Sequence, residues 1–276
     1  MFKVGCNILI DSEMTSEDIS LGILVPTYGN SGTIISVLDR IKSAISTYEC
    51  VTAIVVVDDG STDGTEELLN GYMKSHCIDS EYFRKLSVIK HEHNRGKGAA
   101  LLSGFDKAAL SGCTHCLTID ADGQHFPEDI PAMIDAALHH PEAIIIGRRD
   151  LNADGMPSGN TFANKFSNFW FYIQTAHKLE DTQTGFRVYP LSQLRWRMLI
   201  TSRYESELEL MVYAAWHGTD FVSCPVRVYY PPAELRVSHF RPYYDFARIT
   251  LLNTLLCIGA VLYGYPSMLL RKLLFR

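Results

Sequence analysis

Short β-branched apolar runs alternate with helix-spaced segments five times between Leu21 and Gly147, and this alternation restricts the fold more than any other feature of the chain. Leu21–Pro26, Thr52–Val57, Leu86–Lys90, Thr114–Ile119 and Ala143–Gly147 read as strands. The Thr52–Val57 run is continuously apolar after its first residue, as expected of a strand covered on both faces. Between the strands, Ile34, Ile35, Leu38, Ile41 and Ile45 fall on one helical face, and Leu68, Leu69 and Tyr72 mark a second helix. A helix from Gly96–Gly98 to Leu110 and one over Pro127–His139 complete the series. Repeated βαβ units predict an α/β fold with a mostly parallel central sheet and flanking helices. In such sheets ligands bind outside the carboxyl ends of the strands. The polar segments Thr27–Asn30, Asp58–Asp63, Asp120–His125 and Arg148–Asp150 all fall there.

Beyond Asp150 the alternation stops. An aromatic-rich helix over Phe162–Thr175, a helix over Glu205–His217 and a late strand over Phe221–Tyr230 are expected. Phe166, Phe169, Trp170, Phe171 and Tyr172 read first as core or lid packing. Ile249–Pro266 carries no charge and is flanked by Arg248, Arg271 and Lys272. That length lies at the lower limit for a bilayer span, which takes ~20 apolar residues. An interfacial helix, a buried helix and an oligomer interface fit it as well. The expected organisation is an extension over residues 1–20, a domain over 21–245 with halves at 21–150 and 151–245, and a helical tail over 246–276.

Composition narrows the function. With 25 Lys+Arg against 31 Asp+Glu the formal net charge is −6, which argues against a nucleic-acid partner. Seven cysteines without framework spacing suit free thiols in a reducing compartment. Cys113 and Cys116 open a buried strand and have no second pair at zinc-ribbon distance, so a core position is expected. Asp11, Glu13, Glu17 and Asp18 break any signal-like apolar region. A cytoplasmic body is the expectation.

Asp120-Ala-Asp122-Gly-Gln124 is the most informative segment. Two carboxylates one residue apart at a strand end repel and raise each other's pKa unless a cation joins them. Mg²⁺ or Mn²⁺ would accept both, with the Gln124 amide oxygen as a further hard ligand; an Asx turn before the next helix is the alternative. Asp58 suits a nucleobase or ribose, whereas Ser61 and Asp63 suit helix capping. Asn94-Arg-Gly-Lys97-Gly98 places glycine and lysine at a helix start, where phosphate binds readily, but lacks the P-loop spacing. No G-x-G-x-x-G follows the first strand, so a nicotinamide dinucleotide is not expected.

Val25-Pro-Thr-Tyr28, Val57-Asp-Asp-Gly-Ser-Thr-Asp63, Asn94–Gly98, Asp120–Gln124, Gly147-Arg-Arg149 and Asp181-Thr-Gln-Thr-Gly-Phe-Arg187 occur in that order. The set resembles family 2 glycosyltransferases of the GT-A fold, in the dolichyl- and polyprenyl-phosphate mannosyl- and glucosyltransferase branch. The resemblance covers about Leu21–Asp245. It implies donor contacts from Pro26, Tyr28, Asp58, Lys97, Asp120 and Arg149, and a metal on Asp120, Asp122 and Gln124. Glu205, Glu207 and Glu209 match an acidic patch beside the acceptor. Arg187, Arg236, Ser238 and Arg241 match positions near a lipid phosphate, although His239 and Phe240 depart from the usual lysine-containing loop. An inverting transfer from a UDP- or GDP-sugar to a polyprenyl phosphate, on the cytoplasmic face of a membrane held through the tail, is the implied activity. Were the acceptor a glycan or glycolipid hydroxyl, Asp181, Glu207 or Glu209 would be the base. A sugar-1-phosphate nucleotidyltransferase would need basic residues at Thr27–Gly32, and there are none.

Overall fold

The computed structural model describes residues 19–75, 86–150, 158–230 and 242–274. Strand β1 (Leu21–Thr27) is buried along its whole length and lies between β2 (Val51–Asp58) and β4 (His115–Thr118), parallel to both. With β3 (Leu86–Lys90), β5 (Ile144–Arg149), β6 (Arg187–Pro190) and β7 (Phe221–Val226), the sheet runs β3-β2-β1-β4-β6-β5-β7. All neighbours are parallel except β6, which is antiparallel to both β4 and β5.

Side-chain alternation sends Ile23, Val25, Ile54 and Val56 to one face and Leu24, Val55 and Val57 to the other. The first face is covered by α1 (Ile34–Ala44), α2 (Thr65–Ser75) and α4 (Ile130–His139), which bury Ile34, Leu38, Leu69, Met133 and Ile134 there. The second is covered by α3 (Lys97–Leu110), α5 (Ser158–Thr175) and α6 (Ser206–Trp216) through Leu101, Phe105, Phe171, Met211 and Val212. Cys113 and Cys116 are buried free thiols, and burial pushes the Cys116 thiol up.

Strand β6 departs from the sequence reading. It is inserted between β4 and β5, so the two expected halves of the domain share one sheet. Packing of the domain already begins at the end of the expected extension: Ile19 is buried, and the Ser20 amide donates to Thr114 Oγ1 at 3.0 Å.

The tail is one continuous helix: α7 (Pro242–Gly259), a π-helical turn (Ala260–Gly264) and α8 (Tyr265–Leu274). It begins ahead of the expected boundary at 246. Leu252, Leu256 and Ala260 join the second core. Gly259 and Gly264 leave room for the Trp216 ring, since a Cβ on Gly264 would lie 2.4 Å from Trp216 Nε1. That nitrogen donates to Gln174 O at 2.8 Å, and Gln174 Nε2 donates to Asn253 Oδ1 at 2.8 Å. A buried amide pair thus locks α5 to α7. By length and composition the helix could cross a membrane, and only 22% of its apolar window is buried. On α5, Phe171 alone of the five expected packing aromatics is fully buried, while Phe166, Phe169 and Tyr172 are exposed beside Phe162.

Candidate active site

Strand order reverses about β1: β2 and β3 are added to one side and β4 to the other, all parallel, which makes the carboxyl end of β1 a switch point where ligands bind. Thr27 is level with Asp58, and Thr33 Oγ1 donates to Ala121 O at 2.6 Å, so the loops after β1, β2 and β4 meet. Pro26 lies one residue before the end of β1, in the buried sheet. The loop after it folds on Asn30, whose Oδ1 accepts from Thr27 Oγ1 and from the Tyr28 amide. Asp58 is 1% exposed; its Oδ1 accepts the Ser61 amide at 2.9 Å, while Oδ2 has no hydrogen-bond partner among the described residues. A buried acceptor left open at a ligand edge is ready for an N–H or O–H of a bound molecule. Asp63 has the capping role: it accepts from Thr65 and from the Ser31 amide, and although burial opposes its charge, these bonds hold its pKa below the usual range.

The acids after β4 divide by partner. Asp120 Oδ1 lies 2.7 Å from Lys97 Nζ, which lies 3.1 Å from Glu207 Oε2; Glu207 Oε1 is 3.6 Å from Arg187 Nη1. Burial disfavours the Lys97 charge, but Asp120 and Glu207 outweigh it and raise its pKa. Asp120 is likewise opposed by burial and held low by Lys97. Among the described residues Asp122 has no cation in ion-pair contact. Its side chain stands open at the rim and accepts the Gln124 amide at 2.9 Å. The crowded, partly dehydrated pocket and the Asp120 charge push it up to about 6. Gly185 lets the next loop close over these groups, since a Cβ there would fall 2.4 Å from Asp120 Oδ2.

This donor set fits a divalent cation. Asp120, Asp122 and Gln124 offer hard oxygens, and the Asp122 pKa is raised first by burial and then by the Asp120 charge, a repulsion that a cation would relieve. No group of three His, Cys, Asp or Glu suited to a metal occurs among the described residues. Two carboxylates and one amide would suit Mg²⁺, which commonly takes few protein ligands and completes its shell with substrate phosphates.

Three of the expected site residues are engaged by protein partners. Asp181 is 1% exposed and takes both Arg149 Nε, at 2.7 Å, and Arg149 Nη2, at 2.9 Å, with Asn164 Nδ2 at 2.6 Å. Burial disfavours its charge, but Arg149 outweighs that and holds the pKa down. A carboxylate so engaged positions Arg149 and makes a poor base. Glu209 is fully buried and caps the preceding loop, accepting the Ile200 and Thr201 amides at 2.9 and 3.0 Å. Arg187 is fully buried behind Glu207, donating to Tyr189 OH at 2.8 Å and Thr182 O at 3.0 Å. Glu205 is paired with Arg248 at 2.7 Å. Arg236, Ser238 and Arg241 lie outside the described residues.

The sequence reading passed over His125. It is 5% exposed beside Phe186, its Nδ1 has no partner among the described residues, and burial followed by the Arg149 and Lys97 charges brings its pKa down to about 4. A neutral imidazole therefore backs the acidic turn. Asn164 and Asn168 on α5, which hold Asp181 and Thr182, were missed too. Their i, i+4 spacing on an aromatic helix was the available signal.

Acids at a switch point, an antiparallel strand inserted beside them and helices on both faces are the arrangement of the GT-A glycosyltransferase fold. The solved glucosyl-3-phosphoglycerate synthase of Mycobacterium tuberculosis, described with Mn²⁺ and uridine diphosphate, superposes with a TM-score of 0.55 at 17% identity, covering 88% of this chain and 79% of that one. A profile of glycosyl transferase family 2 matches residues 22–197, well over half of the chain, and the protein belongs to that family. It is a glycosyltransferase. The UDP-N-acetylglucosamine–dolichyl-phosphate N-acetylglucosaminyltransferase of Methanococcus voltae is 27% identical over 75% of this chain and 85% of its own. The dolichyl-phosphate beta-glucosyltransferase of Saccharomyces cerevisiae is 26% identical over 76% and 71%.

Proposed function

We propose that the protein moves a sugar from a UDP- or GDP-sugar to a polyprenyl phosphate, with inversion and with Mg²⁺ or Mn²⁺, at the cytoplasmic face of a membrane. The observation that carries this reading is the pairing of an open nucleoside acceptor, Asp58 Oδ2, with the Asp120–Asp122 rim across β1. The acceptors named for the two relatives above support the lipid phosphate.

In the proposed reaction Asp58 and Tyr28 orient the nucleoside, and Lys97 offers its ammonium beside the diphosphate. The cation, held by Asp120, Asp122 and Gln124, would supply Lewis-acid neutralisation of the leaving diphosphate. An acceptor phosphate oxygen attacks the anomeric carbon from the face opposite the diphosphate. The new C–O bond forms as the old one breaks, and the nucleoside diphosphate keeps the electron pair. A phosphate acceptor is already anionic and needs no base. That agrees with the engagement of Asp181 by Arg149 and of Glu207 by Lys97 and Arg187. Arg149 stands by for phosphate.

The lipid would arrive along a continuous apolar face. Phe162, Phe166 and Phe169 on α5 are exposed, as are Leu255, Ile258, Leu262 and Leu269 along the tail helix docked against it. Lys165 and Lys178 on α5 and beyond it, with Arg271 and Lys272 on α8, supply the basic fringe of a surface that lies on anionic lipid. Leu262→Glu with Leu269→Glu is expected to abolish flotation of the full chain with vesicles of phosphatidylglycerol and phosphatidylcholine. The fold should be unaffected, because those side chains are 75% and 61% exposed. Equal flotation of both proteins would remove the membrane role from this face.

The activity is tested by incubating the protein with Mg²⁺, polyprenyl phosphate and each of a set of labelled UDP- and GDP-sugars. One donor is expected to give an organic-soluble product with the mass of a glycosyl polyprenyl phosphate. Transfer to a glycan hydroxyl, or to no lipid at all, would overturn the acceptor assignment.

A further inference from the structure

Next to the site, Asp59, His91 and Ser103 form a buried chain. His91 Nδ1 lies 2.6 Å from Asp59 Oδ1, and His91 Nε2 lies 2.9 Å from Ser103 Oγ. Asp59 and His91 are 3% and 6% exposed. The Nδ1–H donates to the carboxylate, and Nε2 shares a hydrogen bond with the Ser103 hydroxyl.

The residue types are those of a nucleophilic triad, but the surroundings are not. Ser103 sits inside α3, where the amides that could stabilise an oxyanion are spent on the helix. Asp59, moreover, does more than orient the ring. Its Oδ1 also accepts the Arg95 amide at 3.0 Å, and its Oδ2 accepts the Gly96 amide at 2.7 Å. Gly96 turns at φ +100°, where a side chain would also strike Ser202 O, and the next residue is Lys97. The His91 amide in turn donates to Asp58 O at 2.9 Å. One histidine thus ties together the ends of β2 and β3, the Arg95–Gly96 turn and the second turn of α3.

We infer that His91 is a positioning residue for sugar transfer: by holding Asp59 it fixes the Arg95–Gly96 turn, and through it the place where Lys97 presents its ammonium between Asp120 and Glu207. The kinetic consequence rests on the donor-side role proposed for Lys97. The structural consequence does not.

The test compares His91→Phe, which keeps ring volume and loses both bonds, with His91→Asn, whose amide nitrogen stands near the place of Nδ1 and keeps the bond to Asp59. His91→Gln, which reaches Ser103 and not Asp59, is the second loss variant should the Phe protein fail to fold. Amide hydrogen exchange is followed at Arg95 and Gly96, with Ile54–Val57 of β2 as reference. Acetylation of Lys97 by acetic anhydride is followed against Lys74. Loss of a bond to a buried carboxylate is expected to speed exchange at Arg95 and Gly96 by about tenfold or more, and Lys97 labelling by a similar order, with β2 unchanged. kcat/KM should fall by about 10- to 100-fold, the scale of a slightly misplaced catalytic group, mostly in kcat. His91→Asn should recover most of each loss.

Wild-type exchange and labelling in His91→Phe and His91→Gln would overturn the proposal. So would a uniform rise across β2 and α3, the mark of a residue that only packs. Absence of transfer by the wild-type protein would sink the proposed function, while the exchange and labelling results would still decide the role of His91.

Discussion

Asp122→Ala is expected to cut sugar transfer by about 10²- to 10³-fold or more, the scale of losing a principal electrostatic stabiliser of the transition state. The fold should be untouched. Asp122 is exposed, and among the described residues it accepts the Gln124 amide. Removing a carboxylate whose pKa is pushed up by burial and by the Asp120 charge also relieves repulsion. Asp122→Asn separates charge from shape, because an Asn oxygen still accepts that amide. If the residue only shapes the turn, Asn restores activity; if it holds a cation, Asn fails nearly as badly as Ala. Steady-state transfer rates with thermal melts of all three proteins read the difference.

Arg187→Met is expected to produce the largest loss of stability, about 3–5 kcal/mol, the cost of breaking a buried pair and leaving its partners uncompensated. Its guanidinium is wholly buried and bonds Tyr189 OH and Thr182 O while facing Glu207. Met fills much of the volume and supplies none of the donors. A chain of this size should then melt roughly 6–20 °C lower. Arg187→Lys keeps the charge and should recover part of the loss, though Lys lacks the planar fork that reaches several acceptors. A shift for Arg187→Met corresponding to less than about 1 kcal/mol would mean the pair is solvated and lies outside the core, against the burial described.

The contrast between these residues shows where the sequence is legible. β1, β2 and β5 announce themselves through apolar β-branched stretches, β4 through the Cys116–Ile119 segment, and acids follow β2 and β4 at carboxyl ends where ligand chemistry is expected. β6 does not. Arg187-Val-Tyr-Pro190 is four residues long, starts with a charge and ends in proline, so its pattern reads as turn. It becomes a central strand only because β4 and β5 bracket it and Glu207 and Tyr189 satisfy its arginine.

The same non-local logic reassigns the acids. Asp181, Glu207 and Glu209 look equivalent in sequence, as carboxylates near an acceptor region. Three dimensions give Asp181 to Arg149, Glu209 to the Ile200 and Thr201 amides and Glu207 to Lys97. His91 was invisible for the same reason, with partners 32 and 12 residues away. The aromatic row of α5 divides where its sequence does not, since Phe and Trp at helical spacing ordinarily mean core and only Phe171 of the row is fully buried.

Mn²⁺ titration followed by electron paramagnetic resonance, in the presence of saturating UDP or GDP, tests most directly whether the rim acids hold a cation for a departing diphosphate. The wild-type protein should bind a single Mn²⁺ per chain that appears only with the nucleotide, and Asp122→Ala should bind none. Equal binding by the two proteins, or full transfer by wild-type protein that binds no Mn²⁺ and tolerates excess chelator, would contradict it.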